Sequence, residues 1–153
     1  MHTKLNALKN NVPAAQLAFQ FDAEMGENTS PLVRRDRGRR AYLAGQSAEK
    51  MVLRDYLQRG YELAAQRWRG GGAEIDLIFH DGNGCVFVEV KQSASFDRAI
   101  NALRPAQVQR LMQAATVFVA GEPRGQLTDM RFDVALVNGR GEIQIIENAL
   151  WAA

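Results

Sequence analysis

Cysteine is almost absent from this chain of 153 residues: Cys85 stands alone, and only two histidines accompany it. A single thiol excludes an internal disulfide framework, and two histidines with one cysteine exclude an ordinary four-ligand zinc site. Long hydrophobic runs are missing too. None approaches the roughly 18 residues that a membrane-spanning helix requires. The apolar stretch from Ala14 to Phe21 is short, broken by Gln16 and Gln20 and followed by acidic residues, which is not the core of a signal peptide. The expectation is a cytoplasmic protein with no membrane partner. A strong excess of one charge is also lacking. The net charge is +2, so the molecule as a whole does not advertise nucleic-acid binding.

What is present is an ordinary globular composition, 46% hydrophobic and 24% charged. At this length one domain buries about two thirds of its surface. Residues 1–39 read apart from the rest, as a flexible basic arm with a short helix over 14–25. Gly26-Glu27-Asn28-Thr29-Ser30-Pro31 is a breaker cluster, and Arg34, Arg35, Arg37, Arg39 and Arg40 crowd into seven residues. Such a run tracks phosphates or is simply solvated.

Residues 40–153 read as the folded domain. Ala44, Ala48, Met51, Val52 and Tyr56 recur at helical spacing, and Gly60 supplies a left-handed stop after which Tyr61 folds back apolar surface. A first helix over 40–59 is expected. Strands follow over 61–68, 73–79 and 86–92. Pro105 opens a second helix ended by Gly121 and Pro123, and strands over 131–137 and 142–146 close the chain. Helix, three strands, helix, strand, strand is an α/β order, a mixed sheet with helices on both faces.

The second and third of these strands form a hairpin about Asp81-Gly82-Asn83-Gly84. Counting outward from that turn, His80 faces Cys85, Ile78 faces Phe87, Asp76 faces Glu89 and Glu74 faces Lys91. Alternation puts Ile75, Leu77 and Phe79 on a core face with Val86, Val88 and Val90, and the four charged residues on the other. Directly opposed carboxylates repel at roughly 5 Å and invite a cation or a shared proton. Oxygen ligands without histidine suit Mg²⁺ or Mn²⁺. Metal-assisted phosphodiester hydrolysis fits these groups, with Lys91 orienting water or steadying charge on phosphorus. A plain cross-strand salt-bridge network fits them as well. His80 and Cys85 sit about 13 Å from Asp76 and read as turn-end residues. Trp68, between Arg67 and Arg69, either packs against the first helix or stacks on a base.

Several blocks together resemble one family. Gly45-Gln46-Ser47-Ala48-Glu49, Ala73-Glu74-Ile75-Asp76-Leu77-Ile78, Val86-Phe87-Val88-Glu89-Val90-Lys91, Arg131-Phe132-Asp133-Val134 and Asn148-Ala149-Leu150 follow the order and spacing of the YraN family of small bacterial proteins. The resemblance spans about residues 40–151. That family in turn resembles the PD-(D/E)XK nucleases, typified by restriction enzymes and archaeal Holliday-junction resolvases. What the resemblance implies is a restriction-endonuclease-like αβββαβ core with an extra C-terminal strand. It further implies a site with Asp76 as the first motif acid, Glu89 as the second, Lys91 as the motif lysine and Glu49 as the helical acid completing the metal set. Mg²⁺ or Mn²⁺ as cofactor, DNA (branched DNA included) as partner and a homodimer as an option follow from the same resemblance, with Arg67, Arg69, Arg39 and Arg40 as phosphate contacts. Glu74 matches the family pattern without an implied role. The chain departs from that pattern at Ala73, where glycine is usual, and at Ser93 and Gln107, where arginine and lysine are frequent.

Overall fold

The computed structural model describes residues 31–97 and 104–150. Helix α1 spans Pro31–Gln58, followed by strands β1 (Glu62–Gly70), β2 (Ala73–Asp81) and β3 (Gly84–Gln92). Helix α2 (Pro105–Val119) then precedes β4 (Met130–Val137) and β5 (Ile143–Ile146). The α/β order expected from the sequence is the order found, with β5 as the extra C-terminal strand. The expected helix over 14–25 lies outside the described residues. One boundary differs clearly. Helix α1 begins at Pro31 rather than near Arg40, so the arginine run is helical, and Leu, Arg and Ala are good helix formers even where no apolar stripe marks them.

The C-terminal end of α1 follows its sequence signal closely. Gly60 takes φ +90°, the Tyr61 N–H reaches the Tyr56 carbonyl and the Gly60 N–H reaches that of Leu57. This is a Schellman cap. Its hydrophobic contact is the edge-on packing of Tyr61 on Tyr56, with ring centroids 5.2 Å apart. Ala48, Val52 and Tyr56, four residues apart, are almost wholly buried against the sheet. Side chains such as Val52 each contribute about 1.5–3 kcal/mol by leaving water.

The five strands lie in the order β1-β2-β3-β4-β5. All neighbours are antiparallel except β3 and β4, which run parallel and are bridged by the crossover carrying α2. Helix α1 covers one face, over Leu77, Phe79, Val86, Val88, Ala135 and Val137. Helix α2 covers the other, with Leu111, Ala114, Ala115 and Val119 on Ile75, Ile78, Phe87 and Phe132. Two expectations are corrected. Ile75 belongs to the α2 layer and not with Leu77 and Phe79, and Trp68 packs on Phe118 of α2 (centroids 5.4 Å apart, perpendicular) rather than on the first helix.

The β1–β2 turn comes so close to α2 that side chains do not fit. Gly71 has φ +57°, and a Cβ there would lie 2.9 Å from the Ala114 Cα. Gly71→Ala is expected to destabilise the domain by about 1–3 kcal/mol, from left-handed strain plus a backbone clash. Urea denaturation of the variant measures it, and an unchanged midpoint would contradict the close approach.

On the α1 face of β4, Asp133 is 1% exposed. It accepts hydrogen bonds from Tyr56 Oη (2.7 Å), Arg131 Nε (2.9 Å), Arg131 Nη2 (2.8 Å) and the Asn148 N–H (3.0 Å). Arg131 also reaches Tyr61 Oη at 3.0 Å and lies over that ring. Burial, reinforced by Asp133, holds the Tyr56 phenol far above its ordinary pKa. Burial opposes the Arg131 charge, but the hydrogen bonds to Asp133 and Tyr61 outweigh it and its pKa is raised. A buried carboxylate with four donors is a structural knot tying α1, β4 and the segment after β5 together.

Candidate active site

The central hairpin opens into a fork. Its ladder runs from Asp81↔Gly84 through His80↔Cys85 and Ile78↔Phe87 to Leu77↔Val88, as counted from the sequence. Beyond that point β2 stays paired to β1 (Trp68↔Ile75, Arg69↔Glu74), while Glu89, Val90 and Lys91 stay paired to β4. Asp76 stands where the strands part. The Val90 N–H donates to Asp76 Oδ2 at 2.8 Å, so a side chain takes up a donor that a longer ladder would have given to backbone. Alternation fails at the same place, since Ile75 and Ile78 both face α2 with Leu77 on the α1 side. Across from Asp76, between the pairs Gln66↔Leu77 and Trp68↔Ile75, Arg67 adopts φ +50°, an uncommon conformation for a side chain of that size.

Three carboxylates from three elements border the fork, near enough for their charges to couple. Glu49 comes from α1, one residue from the buried Ala48, Asp76 from β2 and Glu89 from β3. Burial raises the pKa of each. Charge on Asp76 adds to the rise at both Glu49 and Glu89, so the groups feel one another. The Val90 N–H and Lys91 oppose the rise at Asp76 without cancelling it. Glu89 leans on an apolar wall that includes Ile75, Phe87, Leu111 and Phe132, which is why it is poorly hydrated. Lys91 Nζ lies 3.0 Å from Glu89 Oε1, and Gln107 Nε2 of α2 donates to that same oxygen at 3.1 Å.

Asp76 and Glu89, expected directly opposite one another, are not a ladder pair, since the pairing ends at Leu77↔Val88. Asp76 and Glu89 still couple electrostatically with each other and with Lys91, and Glu49 couples with Asp76. The hairpin count also misplaces Glu74. That residue faces Arg69 of β1 and takes hydrogen bonds from both Arg67 and Arg69, which hold its pKa down, Arg69 foremost. Lys91 bonds Glu89 instead. Two of the four arginines expected on phosphates, Arg67 and Arg69, are thus engaged in ion pairs on the rim, with Arg69 the more exposed. Arg39 and Arg40 are exposed on α1. Gln107 is the site residue that sequence reasoning mentioned only as a missing lysine. Its position three residues into a helix opened by Pro105 was the available signal.

With Arg67 and Arg69 paired to Glu74, the three carboxylates and Lys91 carry a formal charge of −2. An oxygen-only set of that charge suits a hard divalent cation, which would have to draw the carboxylates closer together. One test is available without any substrate. Glu49, Asp76 and Glu89 each hold a proton more tightly in the folded chain than in the unfolded one, so their contribution to stability is complete below the unfolded carboxylate pKa and is lost as pH rises through the folded values. Glu74, with its lowered pKa, acts in the opposite sense, and its contribution is lost as pH falls. With three groups against one, the metal-free protein is expected to melt a few degrees higher near pH 5 than near pH 7.5. Glu89→Gln should flatten that slope and raise the melting temperature at pH 7.5. Thermal denaturation in chelator across that range is the measurement, and a melting temperature that climbs with pH would contradict the cluster.

What fold and fork define is an α/β domain of mixed sheet with an acidic cluster where two central strands diverge. Residues 48–137 match the profile of the uncharacterised protein family UPF0102. A UPF0102 protein of Ruegeria pomeroyi is 58% identical over 113 residues, covering 74% of this chain and 92% of its own length. One of Roseobacter denitrificans is 55% identical over 113 residues (74% and 88%), and one of Dinoroseobacter shibae 46% over 121 residues (78% and 90%). The chain belongs to the UPF0102 family, the YraN-like family that its motif blocks resemble. The matched segment contains Glu49, Asp76, Glu89, Lys91 and Gln107. Among the described residues no helix is long and apolar enough to cross a membrane.

Proposed function

We propose that this protein is a divalent-metal-dependent nuclease of the PD-(D/E)XK kind, acting in the cytoplasm on DNA phosphodiester bonds, branched or otherwise structured DNA among them. The observation that supports it best is the coupling of the half-buried carboxylates Glu49, Asp76 and Glu89 at the fork, with Lys91 bonded to Glu89. Asp76, Glu89 and Glu49 would hold Mg²⁺ or Mn²⁺, which when bound polarises a phosphate and makes water a better nucleophile. Lys91 carries the one ammonium beside the carboxylates and is set to orient an attacking water or to steady charge developing on phosphorus. Glu89 Oε1 is held by Lys91 and Gln107, so Oε2 is the oxygen that would be offered to the ion. Arg67, Arg69, Arg39 and Arg40 would line the approach of the phosphate backbone. A homodimer would supply two such sites for two strands. Incubation of purified protein with Mg²⁺ or Mn²⁺ and single-stranded, duplex, flap and four-way DNA tests the proposal. Cleavage is expected, and it should vanish in Asp76→Ala and Lys91→Ala.

A second reading has its own support. Ser93 and Gln107 bring no charge where basic residues are frequent in such folds, and Arg67 and Arg69 are tied to Glu74. A domain so built would bind nucleic acid or a protein with little turnover. Calorimetry separates the two: salt-sensitive DNA binding without Mg²⁺ or Mn²⁺ binding would favour the binding module.

A further inference from the structure

At the other end of the same hairpin, a second cluster has no part in the fork. His80 is next to last in β2 and Cys85 second in β3, and the register sets them directly opposite one another. Glu122 comes to them from the turn that follows α2, held there by its own N–H to the Val119 carbonyl and by the Gly125 N–H to its carbonyl. His80 Nε2 lies 3.1 and 3.2 Å from the two Glu122 carboxylate oxygens. One ligand atom from each of His80, Cys85 and Glu122 lies within 4.8 Å of the other two. Beside them is a pocket of about 190 Å³ lined by Glu62, His80, Glu122, Arg124 and Thr128. Thr128 is 5% exposed, and its hydroxyl has no hydrogen-bond partner.

We propose that His80, Cys85 and Glu122 form a second metal site, one that takes a borderline transition-metal ion, Zn²⁺ by preference, with a water from the adjoining pocket as fourth ligand. The donor set is nitrogen, sulfur and oxygen, which suits Zn²⁺ and does not suit Mg²⁺. Bond lengths of about 2.0–2.3 Å put tetrahedral ligand atoms about 3.3–3.8 Å apart, so small rotamer adjustments close the present arrangement on an ion. Charge fits as well: a thiolate and a carboxylate neutralise a dication, which a half-buried position favours. Burial, with the Glu122 charge second, pushes the Cys85 thiol up to about 11, so in the metal-free chain it is a protonated, unreactive group. Binding releases that proton to solvent as the sulfur–metal bond forms. The residue count that excluded a Cys/His zinc site overlooked Glu122, which no local spacing connects to the hairpin. Nothing in this site depends on the nuclease reading.

Co²⁺ titrated into the full chain is the test, since its absorption reports the ligands. One equivalent is expected to produce an ultraviolet thiolate-to-cobalt charge-transfer band with visible bands of tetrahedral cobalt, and Zn²⁺ should bleach both. His80→Ala and Glu122→Gln, at partly exposed positions, should each weaken the complex at least about tenfold, and Cys85→Ser should abolish the charge-transfer band. Asp76→Ala should leave band and affinity unchanged. Absence of the band in the unmodified chain overturns the proposal. So does a band whose affinity neither His80→Ala nor Glu122→Gln alters, which would be a lone thiol capturing metal, and so does binding lost only in Asp76→Ala. Circular dichroism of each variant identifies any that fails to fold, and the remaining variants still decide.

Discussion

Replacing Asp133 with alanine is expected to lower stability by about 3–5 kcal/mol, or about 10 °C or more in melting temperature for a chain of this size. Among the described residues no other single side chain holds so many buried donors. Without the carboxylate, the Arg131 guanidinium loses both carboxylate oxygens and keeps Tyr61 Oη, the Tyr56 phenol is left without its acceptor beneath α1, and the Asn148 N–H loses its partner. Tyr56→Phe is the contrasting variant. It removes one donor and leaves Asp133 three others, so about 1–2 kcal/mol is expected. Urea denaturation of the two variants gives the comparison. Equal costs would mean that the phenol hydrogen bond, and not the buried ion pair, holds the knot.

Asp133 also shows where reading from residues stops. Its block, Arg131-Phe132-Asp133-Val134, marks a strand and a family resemblance, but nothing local says that its partner is Tyr56, 77 residues earlier. Features that depend on neighbours in the chain were legible. Gly60 and Tyr61 announced the helix cap, Pro105 the start of α2, and Gly82-Asn83 a hairpin whose register then followed by counting. Lys91 and Glu89, two apart on a strand, share a side for the same reason, and they pair. Counting failed where strands stop alternating. At Asp76 the phase slips, so Ile75 was put on the wrong face, and Glu74 was given to Lys91 when β1, entering through an irregularity between Leu63 and Ala65, claims it with two arginines. Gln107 and Glu122 reach their clusters from other elements, and only tertiary structure brings them there.

Asp76→Ala is expected to reduce DNA cleavage about 1,000-fold or more, the scale of losing a central electrostatic contact in a reacting site. The alanine variant by itself mixes two effects, because Asp76 Oδ2 also accepts the Val90 N–H that keeps the fork open. Asp76→Asn separates them. Its amide oxygen can still take that hydrogen bond, while its charge is gone, so the fork should persist and the metal set should not. The expected outcome is a folded Asp76→Asn protein with a melting temperature at or above the parent's in chelator, since repulsion toward Glu49 and Glu89 is relieved, and with cleavage as low as in the alanine variant. Gel assays with Mg²⁺ and Mn²⁺ beside thermal melts provide both readouts. Cleavage by Asp76→Asn at the parental rate would sink the nuclease proposal.

The Tyr56 anchor carries a consequence for alignment. Glu49 and Tyr56 are seven residues apart on α1, two helical turns, so the carboxylate lies about 10 Å along the axis from the pin at Asp133. A helix is stiff over that distance. The phenol–carboxylate bond and the cap at Gly60 thus act as a datum from which the acid is positioned, and a slip of one residue there would swing Glu49 by about 100°. Tolerance at the fork is set at the far end of the helix, by residues that touch none of its carboxylates.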